Sequence, residues 1–545
     1  MNLMYLAQSG LSSAQAAMNV IGNNLNNAMT PGYSRENIIL GESGGKTTNT
    51  GYFGYGAEVD GVQRAYDGFV NTQLRSATTE NMGQSSRYEQ FSQIDNMLGD
   101  DSNNISVSLN SVFKALEMVS SKPADPAARQ GAFAQFQATV YHFNANSNTL
   151  DGLEKSTNTL ITQNVADINA DAKQLAKLND EIGKIHGRTG DLPADLLDQR
   201  DQLLSRLSEK VGIKVNENTD NGRVDITLSN GMPLVNGNRS YLLDASPSAQ
   251  DPSKTVVSYV DASGNKMPFD ETRMTNGALG GLFKFRNEDL TDARNQLNQL
   301  ALQMANKFNE VNAAGLDPKG QAGEKIFNIA DPVALANREN TGNGALNVTF
   351  TDASKAQSEN YTLTFKGPGK TDWDVQTKDG KAITPTVGVN GELEFDGLSV
   401  KPQGTPQVGD NFTMNPVSGA AGKLSMKITS GEQIAAAGQT GGQSNNENIK
   451  DMLAIKNTRL IGNGTLIEAY SSLVSSVGSS MTALKEDLST SAKACESLVQ
   501  QQQGIIGVDI NEESINLQMY TQFYQANAQV LQTANTLFDA LLNIR

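Results

Sequence analysis

The sequence predicts an α+β multidomain protein: terminal helices forming a coiled-coil-like pair, a discontinuous long-helix bundle domain, and two β-rich outer domains inserted between them. Three observations carry this. Both ends of the chain repeat apolar residues at alternating three- and four-residue steps, almost without charge. Long stretches just inside the ends keep helical spacing. The middle alternates apolar and polar residues between glycine-rich turns. A chain of 545 residues also exceeds one ordinary hydrophobic core.

At the N-terminal end Met4, Ala7, Leu11, Ala14, Met18, Ile21, Leu25 and Ala28 form one unbroken seam. The stretch "NNLNNAMTPGYSRE" ends that helix. Pro31 biases Thr30 away from helical dihedrals and Gly32 suits a tight turn, so the helix is expected to stop near residue 29. Thr30, Pro31, Gly32 and Tyr33 make up this turn motif, and Arg35 is the first charged residue of the chain.

Further in, "SSRYEQFSQIDNMLGD" and "SVSLNSVFKALEMVSS" read as helices, and "KPADPAARQ" breaks them from a long helical pattern over 127 to 188. "GRVDITLSNGMPLV" alternates Val224, Ile226 and Leu228 and then turns at Asn230-Gly231. A helix is expected over 289 to 315. The runs Leu346, Val348, Phe350; Tyr361, Leu363, Phe365; and Leu393, Phe395 are strands. A matching long helix covers 465 to 503, with Cys495 on its apolar face.

In the C-terminal helix Ile510, Glu513, Leu517, Tyr520, Tyr524, Asn527, Leu531, Ala534, Phe538 and Leu541 repeat the three-four spacing, with Glu513 and Asn527 as polar exceptions. Phe523, Val530 and Leu537 add a second apolar row, and residues 514 to 538 carry no charge. Two apolar rows without charge call for burial on more than one side. Pairing of the two terminal helices accounts for one side. Neutral Asn, Gln, Ser and Thr beside the seams, where a solvated coil carries Glu and Lys, suit packing among copies of the same helix.

The expected domains are 1–34 with 508–545, a terminal polymer-core pair; 35–188 with 432–507, a helical bundle; 189–340, a mixed β-rich middle domain with a helix; and 341–431, a β-rich outer domain.

No chemistry emerges from the motifs. "GESGGKTT" is one residue short of a phosphate-binding loop and leads into turn and strand rather than a helix. His142 and His186 are expected on separate helices, with no ligand partners at metal spacing. Cys495 reads as a small core residue, and Trp373 as core packing in a β-rich run. In "LLDQRDQLLSRLSEK", Asp198, Asp201 and Glu209 stand among Arg200, Arg206 and Lys210, which reads as surface pairing along one helix. Catalytic, cofactor and metal sites are all expected to be absent. A net charge of -16 argues against nucleic acid and anionic membrane surfaces as partners. No segment reaches the length of a membrane span, and "MNLMYLAQSGLSS" lacks the basic start and apolar block of a secretory signal.

The opening "GLSSAQAAMNVIGNNLNNAMTPGYSRE" resembles the N-terminal signature of the bacterial flagellar rod, hook and hook-associated axial proteins. "YGAEVDGVQRAYDGFVNTQLR", "ADLLDQRDQLLSRLSEKVGI" and the tail "GVDINEESINLQMYTQFYQANAQVLQTANTLFDALLNIR" are similar to later parts of the same family. Pro31, Gly32 and Tyr33 take the positions of the family's turn, after Leu25 and Asn26 in its helix. The resemblance implies a structural adaptor between hook and filament, outside the cell, exported unfolded by the flagellar type III apparatus. It implies as partners copies of itself, the hook protein, the second hook–filament junction protein, and an export chaperone on the C-terminal helix. Flagellin or the second junction protein, which share paired terminal helices, are alternatives that the "TPGY" turn and "LLDQRDQL" helix disfavour. An exported hydrolase or an adhesin using residues 341 to 430 is a reading from another class.

Overall fold

The computed structural model describes residues 2–48, 51–440 and 442–542, and leaves out the side chains of residues 2, 103, 541 and 542 as well. Helix α1 (Asn2–Asn27) is followed by two antiparallel ribbons. Strand β1 (Glu36–Glu42) pairs with β4 (Ala57–Arg64), and β2 (Gly45–Thr48) with β3 (Gly51–Gly54) between them. The glycine-rich "GESGGKTT" run is therefore the start of a hairpin, as its strand-like continuation predicts.

Then come α2 (Gly68–Gly99), α3 (Ile105–Ser121), α4 (Pro126–Thr189) and α5 (Ala194–Lys210). The starts of α2, α3 and α4 have a local cause. Asp67 accepts from the amides of Phe69 and Val70, Asn104 from those of Ser106 and Val107, and Asp125 from that of Ala127. Pro126 sits where a helix needs no amide donor. With 64 residues, α4 runs about 96 Å and is the spine of the molecule. His142 and His186 both lie on it, about 66 Å apart along the axis, rather than on separate helices. The reason is that no breaker interrupts the pattern between them.

Beyond α5 a four-stranded sheet (213–240) and a three-stranded sheet (242–268) form, with the Asn230-Gly231 turn in place at a Gly231 φ of 86°. Helix α6 (Gly277–Lys284) passes through a π turn (Phe285–Asp289) into α7 (Leu290–Ala314). The outer unit packs a five-stranded sheet on a four-stranded one, beginning at Leu335. Trp373 lies between Phe365 and Phe412 in its core, with its Nε1 donating to the Lys370 carbonyl. The chain returns through α8 (Glu447–Ala454), α9 (Leu466–Ile506) and α10 (Ile510–Leu542). A capping box of Thr465 and Glu468 opens α9.

Two cores share the spine. The first half of α4 packs with α2, α3, α7, α8 and α9 around Phe113, Phe136, Phe143, Phe308 and Phe327. The second half, from Ile161 to Ile182, packs with α5, α6 and the strands over 213–260. Helix α7, which the sequence groups with the middle domain, buries Leu297, Leu300, Met304 and Phe308 in the first core. Its sequence neighbours mislead because the core it enters is built mainly from segments before residue 155 and after residue 420, with Ile326 and Phe327 beside them.

Phe136 meets Phe308 edge-on at 5.2 Å and Phe327 at 5.5 Å, all three fully buried. Phe308→Ala should lower the stability of the bundle by about 3–5 kcal/mol, since Phe113, Phe136 and Phe327, held on two helices and a strand, cannot close the void. Urea unfolding followed by helical circular dichroism checks this.

Candidate functional site

Helices α1 and α10 pair antiparallel, and α1 also lies on the β1–β4 ribbon. Ser9 and Ser13 of α1 donate to the carbonyls of Tyr55 and Ala57. The fully buried line on α1 is Ala7, Gly10, Ala14, Ala17, Ile21 and Asn24. From the expected seam, Ala7, Ala14 and Ile21 are buried, Leu11, Met18, Leu25 and Ala28 are half-buried, and Met4 is exposed. On α10, Leu517, Tyr520, Leu531 and Ala534 are half-buried, Tyr524 and Phe538 are exposed, and the Leu541 side chain lies outside the described residues.

Both polar exceptions in the α10 seam have a partner. Asn527 sits against Gly10, where an added Cβ would lie 2.5 Å from its Oδ1. Glu513 is 2 % exposed and accepts from Arg35 Nε at 2.8 Å. Arg35 also donates to Glu512 through both terminal nitrogens, at 3.2 and 2.7 Å. The Glu512 hydrogen bond, helped by Glu513 and opposed by burial, holds the Arg35 guanidinium above its ordinary pKa. The first charge of the chain thus clamps the root of the last helix.

The Thr30–Tyr33 turn explains why the charge stands there. Thr30 N–H donates to Asn27 O and Tyr33 N–H to Thr30 O, at 2.9 and 3.2 Å. Gly32 adopts a φ of 78°, and a Cβ there would lie 2.2 Å from Gln202 Nε2, which itself donates to the Pro31 carbonyl. Only glycine satisfies both conditions. Tyr33 Oη donates to Asn24 Oδ1 at 2.8 Å, and Asn24 pairs with the Glu36 backbone in both directions. Burial, then Glu36, Asp198 and Glu513, push the Tyr33 phenol far above its ordinary range.

Helix α5 carries the other half of this joint. The Asp198 carboxylate accepts from the Ser34 amide and hydroxyl at 2.8 Å each and from Arg64 at 2.7 Å. Arg64 reaches on to Asp201 at 2.6 Å and lies 4.6 Å over the Tyr66 ring. Arg200, with no exposed surface, bonds Asp201, Glu217 and the Gly222 carbonyl. Burial works to lower its pKa, and Asp201 and Glu217 more than offset that. Tyr66 donates to Glu217 at 2.8 Å, and burial, with Asp201 and Glu217 beside it, pushes its pKa up to about 12.

This corrects the reading of "LLDQRDQL" as surface pairing within one helix. Asp198 and Arg200 are buried, and their partners stand up to 164 residues away. Same-helix spacing has no access to such partners; the charge density on an otherwise apolar helix was the available signal. Arg206 does pair at the surface, but with Asp171 of α4. Cys495 likewise is half-buried in a polar stretch, 3.6 Å from Thr78 Oγ1, rather than on an apolar face. Among the described residues no group of three or more His, Cys, Asp or Glu could hold a metal ion, and no helix is long and apolar enough to cross a membrane.

Comparison with known proteins places these features in context. Residues 91–327 match the family described as "Flagellar hook-associated protein FlgK helical domain", and residues 335–416 "Flagellar hook-associated protein 1, D2-like domain". The ends match "Flagella basal body rod protein" over 4–33 and "Flagellar basal body rod FlgEFG protein C-terminal" over 502–544. Flagellar hook-associated protein 1 of Salmonella typhimurium is 41% identical over 555 residues, covering 100% of both chains. That of Escherichia coli is 40% identical over 549 residues, again with 100% of both chains covered. The flagellar hook junction protein FlgK from Burkholderia pseudomallei shares the fold, with a TM-score of 0.72 at 24% identity over 79% of this chain and 99% of that one.

Asp198→Ala should cost about 3–5 kcal/mol, because Arg64 and the Ser34 amide lose a buried partner. Thermal unfolding, with faster proteolysis near residue 33, is the measure. A second expectation concerns pH. Tyr66 holds its proton more tightly folded than free, with about 12 against 10.0. Its contribution is therefore complete below pH 10 and fades as pH rises through about 12. Stability should fall across that window, with a shallower slope in Tyr66→Phe, as read from denaturation at a series of alkaline pH values.

Proposed function

Because the chain belongs to the flagellar hook-associated protein 1 family, we infer that it is a structural adaptor of the bacterial flagellum, joining hook to filament. One observation carries the mechanism: the terminal pair, uncharged over 1–34 and 514–538, keeps apolar surface that no described residue of its own chain covers. Ile515, Met519, Phe523, Leu537 and Phe538 on α10 are each at least half exposed. Leu3 and Tyr5 on α1 are as well. Singly exposed apolar residues are ordinary, but a row along a whole helix marks an interaction surface.

In this proposal 1–34 with 508–545 form the polymer-core unit, and copies of the chain supply the missing cover. The hook protein and the second hook–filament junction protein meet the same surfaces at the two ends of the stack. An export chaperone covering α10 in the cytoplasm, and passage of an unfolded chain through the flagellar type III apparatus, fit a helix too apolar to stand alone. The role is structural rather than catalytic. Its support is the family and a joint whose charged groups are engaged with one another.

The energetics are consistent with ordering on assembly. Fixing each residue costs roughly 1–2 kcal/mol. Burial returns about 25 cal/mol per Å² of apolar surface. The intramolecular pair alone leaves one face of each helix without that return.

Leu25→Asp and Leu531→Asp should each block junction assembly while the far-ultraviolet spectrum and unfolding of the interior stay unchanged. Electron microscopy of flagella from cells producing each variant checks this. Normal filaments attached to hooks in both would defeat the reading.

A further inference from the structure

The seam between α2 and α9 changes character along its length. From Leu466 to Leu484 the buried face of α9 is apolar: Leu466, Tyr470, Leu473, Val477, Met481 and Leu484. Between Leu484 and Ile506, about 33 Å of helix, Ser491 is the one buried residue. What joins the helices there is a series of neutral polar contacts. Asn81 Nδ2 donates to Ser491 Oγ at 3.1 Å, and Ser491 Oγ to Gln84 Oε1 at 2.5 Å. Thr78 meets Cys495 at 3.6 Å, and Gln502 donates to Asn71. Leu488 and Leu498 are half-buried, and Val499 faces solvent. The charged residues of this stretch, Lys485, Glu486, Asp487, Lys493 and Glu496, are exposed.

Both ends of the polar stretch are anchored. Toward residue 466 lies the aromatic core. Toward residue 506, the Ile506 carbonyl accepts from the Arg35 amide at 2.8 Å, and the residues just before α2 are held to α5 and its sheet through Arg64 and Tyr66. Interlocked apolar side chains resist sliding, because each knob must leave its hole. Partly buried hydroxyl and amide pairs, by contrast, can exchange partners at modest net cost, about 0.5–1.5 kcal/mol each. Two rods free to shear past each other bend more easily than the same rods fused.

We propose that the polar half of the α2–α9 seam is a shear-compliant strut, which lets the terminal helix pair tilt against the bundle core while both anchors stay closed. The idea deepens the junction reading, where a subunit must sit between two differently shaped polymers. Its physical content concerns the single chain and is tested there.

The test uses amide hydrogen exchange by mass spectrometry on the full-length protein. Amides over 486–505 should exchange at least about 10-fold faster than those over 467–484, the spread expected between sub-global opening and core stability. Equal protection in the two halves overturns the proposal. Thr78→Cys then supplies a clamp, since a thiol there meets the native Cys495 after a small rotamer change. Oxidation should slow exchange over 486–505 about 10-fold relative to the same variant kept reduced, with 467–484 unchanged. A formed disulfide without that slowing counts against the strut. Should the cysteine variant misfold, Asn71→Leu combined with Gln502→Leu converts one polar pair to an apolar one and should slow exchange in the same stretch; no change sinks the idea. None of these outcomes bears on assembly, so they fail or succeed separately from the Leu25→Asp and Leu531→Asp experiment.

Discussion

The arrangement of the molecule depends on the buried contact between Asp198 and its three donors. Ser34 follows the turn after the first helix, Arg64 ends a strand of the ribbon on which that helix lies, and Asp198 belongs to a helix of the second core. Such a contact adds little net stability, since desolvating Arg and Asp offsets most of their attraction. Its consequence is positional. An Arg or Asp left unpaired in that place is costly, so competing placements of the N-terminal segment are strongly disfavoured. Because Ser34 is held on one side, Arg35 must face the other, and there it finds Glu512 and Glu513. One tetrapeptide, Tyr33 to Glu36, thereby contacts α1, α5, α9 and α10.

Apolar and polar packing divide the work around this joint. The two cores that share α4, the first rich in aromatics and the second largely aliphatic, set the shape of the interior. The joint and the strut above it are built from hydrogen bonds and ion pairs with specific geometry but modest net energy. With the proposed strut, loads applied at the terminal helices reach the interior through contacts that can be remade.

Most of the architecture was legible from periodicity. The three-four steps of the ends, the unbroken pattern over 127 to 188 and the alternation at Val224, Ile226 and Leu228 each report a local period, and each became the expected element. What stayed hidden is nonlocal. Asp198 and Arg200 have surface-like spacing, yet their partners come from other segments of the chain. Helix α7 has a middle-domain address and a bundle-core environment. The buried line on α1 runs through Gly10, Ala17 and Asn24 as well as the expected Ala7, Ala14 and Ile21, because the ribbon and α10 press on it from two directions. A seam drawn from large apolar residues has no means of seeing that small ones permit the closest approach.

In the proposed stack of copies, the neutrality of the ends follows from symmetry. The net charge of -16 lies entirely outside residues 1–34 and 514–538. Between whole molecules this charge repels, but ions screen it beyond about 8 Å at physiological salt. Within a stack of identical helices the situation differs. Every side chain on a shared face recurs on the neighbouring copy a few ångströms away, and a charge would meet one of its own sign where water is scarce. At 4 Å and an effective dielectric near 20, that repulsion is about 4 kcal/mol for each pair. A single Asp or Lys on such a face would be repeated around the whole ring, whereas Asn, Gln, Ser and Thr can both donate and accept, and so can bond to their own image. Asp539 lies just beyond the neutral stretch of the last helix, and the other charges of that helix lie just before it. Glu512, Glu513 and Arg35 stand at the edges of the neutral stretches, and they are paired with one another inside the chain.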